Sequence, residues 1–174
     1  PVIVRDGWEW NVSETAIVVC DVWSNHRCRA SAERIEIMAP KINAVLAAAR
    51  DHGVAIVHAP SGGVSYYETT PFRKRMKLAT FFEPPVPITD VVRPDVAVEP
   101  PLPIDDSDGG CDDPEPNARV EFDYRQHPAI RMVGYDGVTE DGRELYNFCR
   151  QEGIKNIVIL GIHTNMCVLG RSFG

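Results

Sequence analysis

Three features of this sequence predict an α/β fold, a doubly wound parallel sheet with helices on both faces. Short apolar runs at residues 16–20, 54–57 and 157–160 are continuous rather than alternating, the mark of strands covered on both sides. Segments with helical apolar spacing separate these runs, so strand and helix alternate along the chain. Polar chemistry also collects where strands end: Asp21 closes the first run, and a glycine-led corner carrying Cys167 follows the last. In open α/β sheets the carboxyl ends of the strands hold the ligand site.

The bulk properties narrow the class further. At 174 residues the chain suits one domain with a real core, and 44% hydrophobic with 25% charged residues is ordinary for a globular protein. A net charge of −7 and the lack of a basic run argue against nucleic acid as a partner. No apolar stretch approaches the ~20 residues of a membrane span, so no membrane partner is expected. Five cysteines, an odd number without a CxxC pair, make a poor disulfide framework. They point to a reducing compartment, and the cytoplasm is the expected location.

In chain order, residues 1–14 read as a polar arm bearing Trp8 and Trp10. Residues 15–21 form the first strand, ending in Asp21, and residues 22–30 a loop dense in functional side chains, among them Trp23, His26 and Cys28. Ser31 is the expected cap of a helix whose apolar positions are Ile35, Met38, Ile42, Val45, Leu46 and Ala49. Pro40 falls inside it, as a kink or as the true first turn. His52-Gly53 stops that helix before the second strand at 54–58. Between 59 and 128 the periodicity fails and most of the chain's 14 prolines appear. This stretch reads as an irregular insertion, with a short basic helix at 70–79 and a solvated acidic loop at 105–115. Its length suits a lid, a binding loop or an arm of a homo-oligomer. A third strand is expected at 129–133, then a turn at 134–137 and a helix capped by Thr139 that buries Leu145, Phe148 and Cys149 and stops at Gly153. The fourth strand and the cysteine corner follow. The chain ends at Gly174, soon after that corner, so a single domain over 1–174 that lacks its C-terminal part is expected.

The corner reads GIHTNMCV over residues 161–168. A cysteine at a strand-to-helix turn meets free backbone N–H groups and the positive end of a helix dipole, and both favour the nucleophilic thiolate. The same N–H groups can hold an oxyanion formed when sulfur attacks a carbonyl carbon. Other motifs fail. GxGxxG, GxxxxGK[ST] and GxSxG are all missing, which removes support for a dinucleotide site, a phosphate-cradling loop and a serine elbow. His26 and Cys28 could face a metal together with His58 or His163, but two ligands from one loop do not make a site. No metal and no other cofactor is expected.

With AIVVCD at 16–21 and GIHTNMCV at 161–168, the chain resembles the isochorismatase-like cysteine hydrolases, a superfamily that includes nicotinamidases and N-carbamoylsarcosine amidohydrolase. The resemblance covers roughly 14–60 and 128–174. It implies Cys167 as nucleophile and Asp21 as its base, with the corner residues His163, Thr164 and Met166 around the oxyanion and a cis peptide at Ile162-His163. It also implies a lysine just after the third strand, and an ungapped count from Cys167 puts Gly134 there. Candidates to replace that cation are Arg131, Arg125, Lys77, His26 and His163. A working replacement would hold Cys167 below the ~8.5 of a free thiol.

The expected activity is hydrolysis of a small amide, ureido or imide compound, with Trp23, His26, Tyr66 and Tyr67 lining the pocket. Isochorismatase activity in particular is not implied. Two other readings compete: an inactive relative that binds a small molecule or serves as a scaffold, and a redox or metal role for Cys28, His26 and Cys167.

Overall fold

The computed structural model describes residues 7, 9–89, 111, 113 and 122–174. Much of the expected arm at 1–14, and the acidic run at 105–115 apart from Cys111 and Asp113, lie outside the described residues. Four parallel strands form one sheet in the order β3-β2-β1-β4. They are β1 (Thr15–Cys20), β2 (Ala55–Ala59), β3 (Gly137–Val138) and β4 (Asn156–Gly161). Between them run α1 (Arg29–Asp51), α2 (Pro71–Lys77) and α3 (Gly142–Glu152).

The alternating faces of β1 and β2 meet two separate cores, which makes the sheet doubly wound. Ile17, Val19 and Ile56 pack with Ile35, Ala39 and Leu46 of α1. Val18, Val57 and Ala59 pack on the other face with Met76 of α2 and Leu145, Phe148 and Cys149 of α3. All six residues of β1 are buried. That is why its apolar run shows no alternation.

α1 starts earlier than the cap at Ser31 implies, with Cys28 as its N-cap, and runs unbroken through Pro40. Pro40 is on the exposed side, where water can serve the carbonyl freed by the missing N–H. The buried stripe is Ile35, Ala39 and Leu46; Met38 and Val45, expected in it, face solvent. In α2, Thr70 Oγ1 accepts from Arg73 N and Pro71 occupies the first turn, as the pattern at 70–79 suggests. For α3 the N-cap is Asp141 rather than Thr139: its carboxylate takes the N–H groups of Arg143 and Glu144, while Thr139 Oγ1 accepts from Asp141 N. Gly153 closes α3 with φ +71, a conformation that favours glycine.

Two strand expectations are overturned. Residues 129–133 form no strand, because their backbone donors are taken up outside any strand ladder. Ile130 N donates to His127 O, Arg131 N to Asn43 Oδ1 and Val133 N to Asp136 Oδ2. The third strand is the two-residue β3 beyond the turn, too short for any periodicity to reveal. β4 is not buried on both faces either. It lies at the edge of the described sheet, with Ile157 39% and Val158 40% exposed.

Candidate active site

β1 lies inside the sheet, with β2 on one side and β4 on the other. The chain leaves β1 in one direction to build β2 and β3, then returns to add β4 on the opposite flank. The strand order thus reverses at β1, and the crevice beyond the carboxyl ends of β1 and β4 is where such sheets bind ligands. Cys20 and Gly161 are register partners there, and Ile162 N donates to Cys20 O. A Cβ on Gly161 would lie 1.8 Å from that carbonyl oxygen, so only glycine allows the two strand ends to approach this closely. Asp21 leaves β1 with φ +53, a left-handed conformation rare outside glycine, asparagine and aspartate. The Ile162-His163 peptide is cis, as the resemblance implies.

Asp21 is fully buried, and its carboxylate is well supplied with donors. Ser61 N donates to Oδ1 at 2.8 Å, and Arg171 Nη2 donates to Oδ2 at 3.0 Å. Cys167, in the π-helical turn Thr164–Val168, lies close enough to the Asp21 carboxylate for the two to interact electrostatically. Burial pushes the Cys167 thiol above its ordinary pKa, and the charge of Asp21 pushes the same way. Arg171 and a hydrogen bond from the His163 backbone pull it down, but they do not win. The expectation of a depressed thiol is therefore corrected: Cys167 rests as a thiol beside a carboxylate.

An aromatic wall adjoins this pair. Trp23 is buried, stacks on His26 with centroids 5.7 Å apart, and donates from Nε1 to Ser61 O. Phe122 packs on both rings and Tyr124 on Phe122, while His26 meets the His163 ring at 5.2 Å. Burial, then the neighbouring His163, hold His26 below its ordinary pKa, so it is neutral at pH 7. Tyr67 stands behind the wall, where its hydroxyl accepts from Gln126 N. Tyr66 is 61% exposed under the Arg125 guanidinium. At the corner Thr164 is exposed, and Met166 N is already bonded to His163 O, so it offers no free donor to an oxyanion.

The isochorismatase domain model matches residues 15–171, which include all four strands of the described sheet together with Asp21, Cys167 and Arg171. The chain belongs to the isochorismatase family. No curated protein matches it.

The cation paired with Asp21 in this isochorismatase domain is not one that the sequence singles out. Gly134 sits in the turn before β3 with φ +57. Arg131 is exposed beside α1, with its N–H on Asn43. Lys77 pairs with Glu68, and Arg125 pairs through two nitrogens with Asp123. Neither histidine is seated on Asp21: His26 is held neutral beside Trp23, and His163 Nε2 lies 3.2 Å from Ser31 Oγ. Arg171, four residues past Cys167, is the guanidinium on Asp21. That spacing on a helical corner was the available signal, since residues four apart share a face. Ser61 and Phe122 were also missed; both come from the aperiodic stretch that gave no reason to bring them here. A cavity of about 340 Å³ lined by Ser13, Val54, Tyr135 and Glu152 lies at the other end of the strands and takes no part in this site.

Proposed function

We propose that this isochorismatase-family chain is a cysteine hydrolase that cleaves a C–N bond in a small amide, ureido or imide compound. The observation that carries the reading is the buried Asp21 carboxylate at the switch point of the sheet, bonded to Arg171 and near enough to the Cys167 thiol to act on it. Because the thiol rests protonated, attack and deprotonation occur together. Asp21 takes the thiol proton as Sγ bonds to the carbonyl carbon, and the carbonyl π pair moves onto oxygen. As the oxyanion collapses the C–N bond breaks, and Asp21 passes its proton to the departing nitrogen. Water, deprotonated by Asp21, then adds to the thioester; the sulfur leaves and recovers a proton. Arg171 stays cationic and keeps Asp21 oriented toward the sulfur. Trp23, His26 and Phe122 suit a small, flat, largely uncharged substrate. The free cysteines support a reducing, cytoplasmic setting, and the long 59–128 stretch suits a homo-oligomer contact.

The test is release of ammonia or amine from a panel of small amides, ureides and imides by wild type, Cys167→Ser and Asp21→Asn. Wild type should turn over at least one compound. Cys167→Ser should be inactive, and Asp21→Asn should fall by about 10²–10⁴, the usual worth of a positioned base. Asp21→Asn should at the same time speed iodoacetamide labelling of Cys167 near neutrality, because the charge that raises the thiol is gone. A wild type silent on the whole panel, or an Asp21→Asn protein as active as wild type, would leave the reading of an inactive binding protein as the better one.

A further inference from the structure

We propose that Cys28, Cys111 and Asp113 form a zinc site that fastens Cys111 and Asp113 to the first turn of α1. One ligand atom from each residue lies within 4.8 Å of the others, although Cys28 and Cys111 are 83 residues apart. Cys111 Sγ is 3.5 Å from Asp113 Oδ2. That is the ligand-to-ligand edge of a tetrahedron with arms of about 2.3 Å to sulfur and 2.0 Å to oxygen. The two sulfurs lie within 4.8 Å of each other. Two sulfurs and a carboxylate select a thiophilic ion such as zinc over magnesium or calcium, which take oxygen shells.

The surroundings fit the assignment. Cys28 is the N-cap of a 23-residue helix but makes no side-chain cap bond, and the residue is fully buried. Capping falls to Asp113, whose Oδ2 accepts from Arg29 N at 2.7 Å and whose Oδ1 accepts from Ala30 N at 3.0 Å. Each oxygen keeps a lone pair beyond those bonds. Ligating carboxylates are usually oriented in this way by outer-shell donors. Three protein ligands leave a fourth position for water. The site also bears on the corner: Ser31, in the same first turn, lies 3.2 Å from His163 Nε2. A clamped α1 start would hold Ser31, and through it the ring of His163.

The assignment does not depend on the hydrolase reading, because its readout is metal binding. Full-length chain, reduced with a phosphine and stripped of metal by a chelator, would be titrated with zinc against a chromophoric competitor. Wild type should bind one zinc per chain, and Cys28→Ser and Cys111→Ser should bind none. Asp113→Asn should bind about tenfold more weakly or worse. Cobalt in place of zinc should show thiolate-to-metal charge transfer in wild type and lose it in either serine variant. Far-ultraviolet circular dichroism checks that the variants fold, and the wild-type titration decides the matter without them. Failure of reduced wild type to take up stoichiometric zinc would overturn the proposal. So would equal zinc uptake by Cys28→Ser. An air-exposed chain lighter by two hydrogens, with Cys28 and Cys111 joined and no zinc bound after reduction, would make the pair a redox pair instead.

Discussion

Replacing Arg171 with methionine removes the cation from Asp21 while keeping much of the side chain's length. The ion pair spans 3.0 Å, with the Asp21 side chain fully buried and that of Arg171 25% exposed. At an effective dielectric of about 20, opposite charges at that separation attract by roughly 5–6 kcal/mol, most of which desolvation offsets. The variant loses more than the pair's net worth, because a buried carboxylate is left behind with the Ser61 N–H still donating to it but no cation on it. Removing one partner of a buried pair costs about 3–5 kcal/mol, and partial access of water at Arg171 favours the lower end, about 3 kcal/mol. Arg171 also lowers the Cys167 thiol, so its loss should push that thiol further up. Urea unfolding reads the stability, and mass-resolved iodoacetamide labelling between about pH 7 and 10 reads the thiol. Labelling should slow in Arg171→Met and recover in Arg171→Lys, which keeps the charge. A methionine variant within about 0.5 kcal/mol of wild type, with an unmoved labelling midpoint, would refute Arg171 as the cation of the site.

Two further predictions concern the scaffold. Burial raises the Cys149 thiol to about 11, so the folded chain keeps a proton that the unfolded chain gives up near 8.5. That stabilisation is full below the unfolded value and is lost as pH rises toward about 11, at roughly 1.4 kcal/mol per pH unit. Under reducing conditions the unfolding free energy should therefore fall above about pH 8.5, and Cys149→Ala should fall less steeply; equal slopes would count against the assignment. Gly161→Ala would force a methyl to 1.8 Å from the Cys20 carbonyl, a backbone atom locked in the β1–β4 ladder. We expect a loss above about 4 kcal/mol or no folded protein, and a variant within 1 kcal/mol by denaturant melt would show that the strand ends are not so closely joined.

Much of the sheet was legible because its physics is local. The strands β1 and β2 and the buried residues Leu145 and Phe148 follow from apolar runs and helical spacing, which need no knowledge of distant partners. The positions of Asp21 and Cys167, the two ends of the candidate site, were legible for the same reason, each following an apolar run. Residues 129–133 misled because an apolar run marks burial, not hydrogen-bond partners. Ile130 is buried against the α1 side of the core, yet its neighbours bond to Asn43 and Asp136.

What the sequence determined by itself, then, is the parallel α/β class, the family, and the two residues that close β1 and follow β4. What only the tertiary structure decided is the electrostatics between them. Arg171, rather than any cation near the third strand, reaches Asp21, and Cys167 is held up as a thiol. The same holds for the meeting of Cys28 with Cys111 and Asp113. The reason is range. Periodicity is set within a few residues, whereas a charge or a thiol acts on whatever folding places within a few ångströms, and residues 20 and 161 or 28 and 111 become neighbours only once the sheet and α1 have formed.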